Sequence, residues 1–389
     1  PGLKWIGTTE ITNNILSLYV QTSFGQPGRL LDEKDGKTVY DYGLEKVVAK
    51  KIPHNSSQAD VFERLVPFWQ LKLYMIDVLK KGVSPFHCVE AAMQTLEESG
   101  FEELEYARPW NLKKGKAYMM NHHGTTLYAF TVGENFRADA MLRMAAAHTD
   151  YPYLRIKPNA DFVTDRYAQV NVEVYGGPIL NTWFDRPLGI AGRVIVRSGD
   201  VFAPETMLYR SGRPVLIIPN LAIHMNREVN KGVAINNQVD LMPVADMLPE
   251  EQQSTDYFLS FLAEELAVKK EDILDFELNT YCVEEPAYVG IKETLLSSPR
   301  LDNQTSVAAL LAAIVEGTRT DGINLIALFD NEEIGSRSKQ GADSTLLSDI
   351  VKRLAAGSQL SLIEDGFYLS VDVAHATNPN YNEKSDITN

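Results

Sequence analysis

Three apolar runs in the chain stop abruptly at side chains that bind metal ions: LRMAAAHTD (142–150), INLIALFDNEEIG (323–335) and FYLSVDVAHA (367–376). Four to eight mostly aliphatic residues followed at once by polar ones describe a fully buried strand of an α/β sheet. Active sites of open α/β sheets lie outside the carboxyl ends of the strands. His148, Asp150, Glu332, Glu333, Asp372 and His375 are therefore expected to converge on one crevice. A fourth segment, SSPRLDNQTSVAALLAAIVEG (297–317), adds Asp302 in a loop before an apolar helix expected over 306–317. Histidine with several carboxylates around a cleft describes a divalent-metal hydrolase site better than it describes a core.

Each of these residues also has a plain structural reading, so the argument rests on their combination. Asp150 follows His148 by two positions, points the same way in an extended chain, and is placed to orient the ring. Adjacent Glu332 and Glu333 at the end of a buried strand repel each other unless a cation or a shared proton compensates. Asp372 among valines costs several kcal/mol unless it is neutralised or paired. His375 reads equally as a substrate-side donor or a strand-end residue. His87 is expected to pack or face solvent in the first turn of a helix, and His122 and His123, in the turn NHHGTT, to be exposed. His54 falls in a stretch without a readable pattern. No G-x-S-x-G elbow, H-E-x-x-H helix or G-x-G-x-x-G fingerprint competes.

The chain of 389 residues suits two domains or one α/β domain with a large insertion. Its net charge of −15 opposes nucleic acid and anionic membranes as partners. Cys88 and Cys282, without C-x-x-C spacing, exclude a disulfide framework and a thiolate zinc site. No run reaches the roughly 18 apolar residues of a membrane span, and the first residues lack signal-peptide character, so the expected compartment is the cytoplasm.

Residues 1–66 form a poorly readable lead, with a polar turn at GRLLDEKDGK and a boundary at PHNSSQAD. Gly36-Lys37-Thr38 is set aside as a phosphate loop, because Leu31 stands where that motif needs glycine. SPFHCVEAAMQTLEESG (84–100) is the clearest helix, with Ser84 as cap, Pro85 in the first turn and Gly100 at its end. Residues 67–154 and 246–389 are expected to form the α/β domain. Within it, 155–245 forms a β-rich insert whose strand-like stretches alternate with turn signals.

The ordered motifs SPFH, HTD, VEVYGG with NTWFDRPLGIAGRV, PNLAIHMNR, PRLDNQ, FDNEEIGSRSKQGADS and DVAHATNPNY resemble those of the aspartyl aminopeptidase (vacuolar aminopeptidase I) family of dinuclear zinc metallopeptidases. The resemblance covers about residues 72–385. It implies an α/β fold with a mixed sheet, helices on both faces as in zinc exopeptidases, and an inserted β-rich dimerisation domain. It also implies two divalent ions, zinc with cobalt or manganese as alternatives. His148, Asp302 and Asp372 would hold one ion, while Asp302 and Glu333 would hold the second. Glu332 would be the general base toward a water shared by the metals, with Asp150 orienting His148. His224 would reach a neighbouring subunit's active site and His375 would contact substrate. The implied activity is removal of amino-terminal residues from peptides by a homo-oligomer of dimers, up to a dodecamer.

One departure stands out. The family's second metal takes a further histidine several tens of residues beyond DVAHA, whereas the sequence runs from Asp372 only to Asn389 and holds just His375 there. The expectation is a truncated version of a longer protein. The alternatives are an impaired homologue acting as an assembly subunit, or a small-amide deacylase.

Overall fold

A computed structural model of the chain describes residues 29–31, 33–50, 66–137, 141–232, 234–249, 256–291, 293, 295–317, 320–355, 364, 366–375 and 378–384. His54 and the PHNSSQAD boundary lie outside the described residues. The chain divides into two units, Pro1–Asp77 with Pro286–Ser298, and Val78–Glu285 with Pro299–Asn389. In the first, Gly36-Lys37-Thr38 belongs to a hairpin pairing Glu33–Lys34 with Lys37–Thr38. Asp35 and Gly36 take positive φ at its turn, as a two-residue hairpin loop requires. Thr38 then caps the helix Val39–Gly43 through a reciprocal bond pair with Asp41.

The second unit carries the sheet that the apolar runs imply. Its strand order is Phe367–Ser370, Leu142–His148, Ile323–Phe329, Thr126–Val132, Ala117–His122 and Glu102–Glu103. The first three are parallel and Thr126–Val132 is antiparallel to its neighbours, so the sheet is mixed. Helix Leu346–Leu354 buries Leu346, Ile350, Val351 and Leu354, a stripe at helical spacing, against Tyr118, Tyr128, Phe130 and Leu325. Helices Pro85–Glu98 and Leu301–Glu316 also pack against the sheet. The former starts as its sequence demands, with Ser84 accepting from the His87 N–H and Pro85 at the first position.

Three expectations need correction. The β-rich region does not close at residue 245. Its seven-stranded sheet runs from Tyr153 to Cys282, because Ile273–Cys282 pairs along the length of Pro187–Val196. Phe258 and Leu262 of helix Tyr257–Leu266 join its core as well. The Phe367–Ser370 strand is not buried: it bonds only to Leu142–His148 among the described strands, at the sheet edge, and its residues are exposed. His122 ends a strand and is half-buried, leaving only His123 exposed in the turn.

Candidate metal centre

The parallel strands end in register, and that register assembles the site. Phe329 pairs with His148 at the ends of their strands, and the Thr149 N–H donates to the Phe329 carbonyl at 2.7 Å. On the other side, the Val371 N–H donates to the Ala146 carbonyl at 2.8 Å, which brings Asp372 alongside His148. Asp302 is carried on an irregular step: it and Asn303 have non-helical dihedrals, and regular helix resumes only at Gln304. Two buried amides hold that step. Asn303 Nδ2 donates to the Val371 carbonyl at 3.0 Å, and Gln304 Nε2 to the Thr149 carbonyl at 2.8 Å.

His148 is the buried hub, its two ring nitrogens facing different partners. Nδ1 lies 3.0 Å from the Asp150 carbonyl oxygen and 3.3 Å from Asp150 Oδ1. Nε2 faces Asp302 Oδ1 at 3.4 Å, Asp372 Oδ1 at 3.7 Å and Glu332 Oε2 at 3.8 Å. Side-chain exposures of 55% for Asp302, 50% for Glu332 and 56% for Asp372 put these acids at an open mouth over a closed floor. Asp372 is thus a rim residue and not the carboxylate buried among valines that its sequence context suggests.

One ligand atom from each of His148, Asp302 and Asp372 lies within 4.8 Å of the others, and His148, Glu332 and Glu333 form a second such group. Glu333 therefore comes together with Glu332 around His148. The two glutamates lie in a single 3-10 turn, Glu332–Ile334, entered through Asn331 in the left-handed region. His224 and His375 are exposed, the first in a turn of the seven-stranded region and the second in extended chain beyond Phe367–Ser370. No contact with the cluster brings either in.

The donor set fits a divalent cation. Burial, then the charge of Asp150, pushes the Glu333 carboxyl up to about 7. Burial and the neighbouring Asp372 raise Asp302. Burial disfavours a charged His148 ring, but the Asp150 hydrogen bond and the surrounding carboxylates outweigh it and push the ring up to about 9. Carboxylates that resist ionising together, around a histidine drawn toward positive charge, are a donor set that a bound divalent cation would compensate. Carboxylate and imidazole donors accept zinc, cobalt or manganese.

Four buried polar residues around the centre escape sequence reasoning. They are Asn303, Gln304, Asp330 and Tyr175. Asp330 is buried at the end of its strand, where burial and the charge of Asp150 push it up to about 7. Its N–H donates to Thr126 Oγ1 at 3.1 Å. Tyr175 donates to Asp150 Oδ2 at 2.7 Å. Of the four, only Asp330 carried a sequence signal, as a carboxylate directly after the apolar run INLIALF.

An α/β sheet with this side-chain set at its carboxyl edge defines a metal-dependent hydrolase. Residues 78–389 match the model of the aminopeptidase I zinc metalloprotease (M18) family, and the chain belongs to that family of metallo-aminopeptidases. It is 44% identical over 319 residues to the probable M18 family aminopeptidase 2 of Clostridium acetobutylicum, covering 80% of this chain and 74% of that one. It is 34% identical over 368 residues to the aspartyl aminopeptidase of Aspergillus oryzae, covering 81% and 73%. Among solved structures, Chaetomium thermophilum mApe1 matches with a TM-score of 0.73 and 27% identity over 82% of this chain and 77% of that one. A chain of the Ape4 and Nbr1 complex matches with 0.74 and 31% identity, over 82% and 66%. No helix among the described residues is long and apolar enough to cross a membrane.

Proposed function

We propose that this chain supplies the ion-binding and proton-transfer groups of an aminopeptidase that removes single residues from the amino end of peptides. One observation carries the reading: His148 turns Nε2 toward Asp302, Glu332 and Asp372 while Asp150 takes Nδ1. His148, Asp302 and Asp372 would hold one divalent ion, and Asp302 with Glu333 would serve a second. Zinc is the ion named for the family. Bound ions supply Lewis acidity, polarising the scissile carbonyl and acidifying an attacking water. Glu332, half exposed at the mouth, would act as the general base toward an attacking water and return the proton to the departing amine. Asp150 keeps the His148 ring in one orientation. His224, which is exposed, would reach a neighbouring subunit's active site, and His375, also exposed, would contact substrate.

The S. cerevisiae mApe1 structure is that of a dodecamer. A homo-oligomer built through the seven-stranded region is the corresponding proposal here, and exposed Ile179, Leu221, Met225 and Val239 in that region suit it. The Aspergillus relative's name makes an acidic amino-terminal residue the first substrate to try. The test uses the full-length protein on matched peptides with free and acetylated amino ends, with and without chelator. Cleavage confined to free peptides and abolished by chelator is expected. Equal cleavage of both would end the exopeptidase reading, and turnover of acyl-amino-acid amides alone would favour a deacylase.

A further inference from the structure

Asp150 is fully buried, and both of its carboxylate oxygens are in use. Oδ1 lies 3.3 Å from His148 Nδ1 and accepts from the Glu332 N–H at 3.2 Å. Oδ2 accepts from the Glu333 N–H at 3.2 Å and from the Tyr175 hydroxyl at 2.7 Å. The tyrosine comes from the seven-stranded sheet, at the end of strand Tyr167–Tyr175.

The polarity of the bonds behind that hydroxyl follows from donor counting. Ser338 Oγ accepts from the N–H groups of Gln340 and Gly341 at 3.2 and 3.0 Å. Its own proton is thereby directed to Asn331 Oδ1, 2.6 Å away. Asn331 Nδ2 can only donate, and it faces the Tyr175 oxygen at 2.9 Å. The Tyr175 proton is left for Asp150. Ser338, Asn331 and Tyr175 thus donate in series toward one carboxylate, an arrangement in which each bond polarises the next. The ring itself has little freedom. It stacks on Tyr153 at 4.3 Å and 4°, the Arg155 guanidinium lies 4.9 Å from its centroid, and the residue is 4% exposed.

We infer that Tyr175 is a positioning residue of the metal centre, its hydroxyl fixing Asp150 and through it both the His148 ring and the Glu332–Glu333 turn. The inference rests on the metal-centre reading above. A carboxylate pinned on its far oxygen cannot rotate away from Nδ1, so Nε2 stays aimed at the acids. Without the hydroxyl, part of the ion's binding energy must restore that alignment. Groups standing behind metal-ligating histidines typically change affinity about 10–100-fold when removed.

The test strips the full-length protein of metal and titrates Co²⁺ against a chromophoric chelator, recording the thermal midpoint of the metal-free protein alongside. Tyr175→Phe keeps the ring and is expected to bind Co²⁺ about tenfold or more weakly, with a modest drop in midpoint from the Asn331 amide left without its acceptor. Asn331→Ala, which removes the upstream donor, should show a smaller loss in the same direction. Tyr153→Phe, whose hydroxyl meets Arg155 and not Asp150, should bind like the parent. Parental affinity in both Tyr175→Phe and Asn331→Ala would overturn the inference. So would an equal loss in Tyr153→Phe, since ring packing would then be the cause. His148→Ala tests the underlying reading separately: if it binds Co²⁺ as the parent does, both the centre and the role of Tyr175 fall.

Discussion

Gly176 lies where a side chain would strike Glu333: a Cβ built on it would sit 3.1 Å from Glu333 Cβ and 3.2 Å from Oε2. The glycine follows Tyr175 directly, so two consecutive residues of VEVYGG shape the acid side of the centre, one through its hydroxyl and the other through its lack of a side chain. Its φ of +73° adds a second reason for glycine.

Gly176→Ala is therefore expected to displace Glu333 as well as strain the backbone. The backbone term alone is about 1–2 kcal/mol, and the displacement should lower the metal retained per chain after dialysis. Gly177→Ala is the control, because its Cβ would meet nothing within 4 Å. Equal metal retention in the two variants would show that the Glu333 seat does not matter to the ions.

Asn303 and Gln304 hold the Asp302 step against both neighbouring strand ends, and each leaves a carbonyl unpaired if replaced by an apolar residue. Gln304→Leu should cost about 1–3 kcal/mol through the Thr149 carbonyl. Asn303→Leu frees Val371 beside the exposed rim residue Asp372, so its larger effect should be faster metal release. Stopped-flow release of Co²⁺ to excess chelator, with urea midpoints alongside, separates the two. A parental release rate in Asn303→Leu would mean that Asp372 is positioned without that bond.

What the sequence disclosed and what it hid divide along physical lines. His148, Glu332 and Asp372 were legible as a set because aliphatic runs halt at or just before them, and parallel strands ending in register must bring such halts together; Asp302, in a loop ahead of an apolar helix, joined that set only through the family resemblance. That Phe367–Ser370 stands at the edge among the described strands was not legible, since FYLSV is as apolar as a central strand and nothing local says how many neighbours it has. The extent of the β-rich region was hidden for a related reason: Ile273–Cys282 joins it by pairing with Pro187–Val196, far away in the chain. Tyr175, Asn303 and Gln304 carry no pattern of their own. Their partners Asp150, Val371 and Thr149 are remote in sequence, and only the fold shows that they are paired.

Glu332→Gln separates proton transfer from ion binding. The amide keeps the side chain's size and one acceptor but cannot take up the water's proton. On the proposed mechanism kcat should fall by about 10²–10⁴, with KM and metal content per chain near parental values. Steady-state kinetics on a free-amino peptide, paired with metal analysis of the same samples, decide the matter. A comparable loss of bound metal would make Glu332 a ligand and not the base.

His87 gives the fold a pH dependence that does not involve the metal centre. Its Nδ1 lies 2.7 Å from Ser84 Oγ in the first turn of helix Pro85–Glu98, and burial, followed by the charge of Arg210, pushes the ring down to about 4 from its ordinary 6.5. Between those two values the unfolded chain binds more protons than the folded one. The stability contributed is therefore present near pH 7 and is lost as pH falls from about 6.5 through 4. The loss is on the order of 2–3 kcal/mol by pH 4.5. His87→Gln removes the titration while leaving Ser84 a polar neighbour, and other acid-sensitive groups remain common to both proteins. Urea midpoints at pH 7 and pH 4.5 should accordingly fall further in the parent than in the variant, and equal falls would mean that the half-buried ring carries no such penalty.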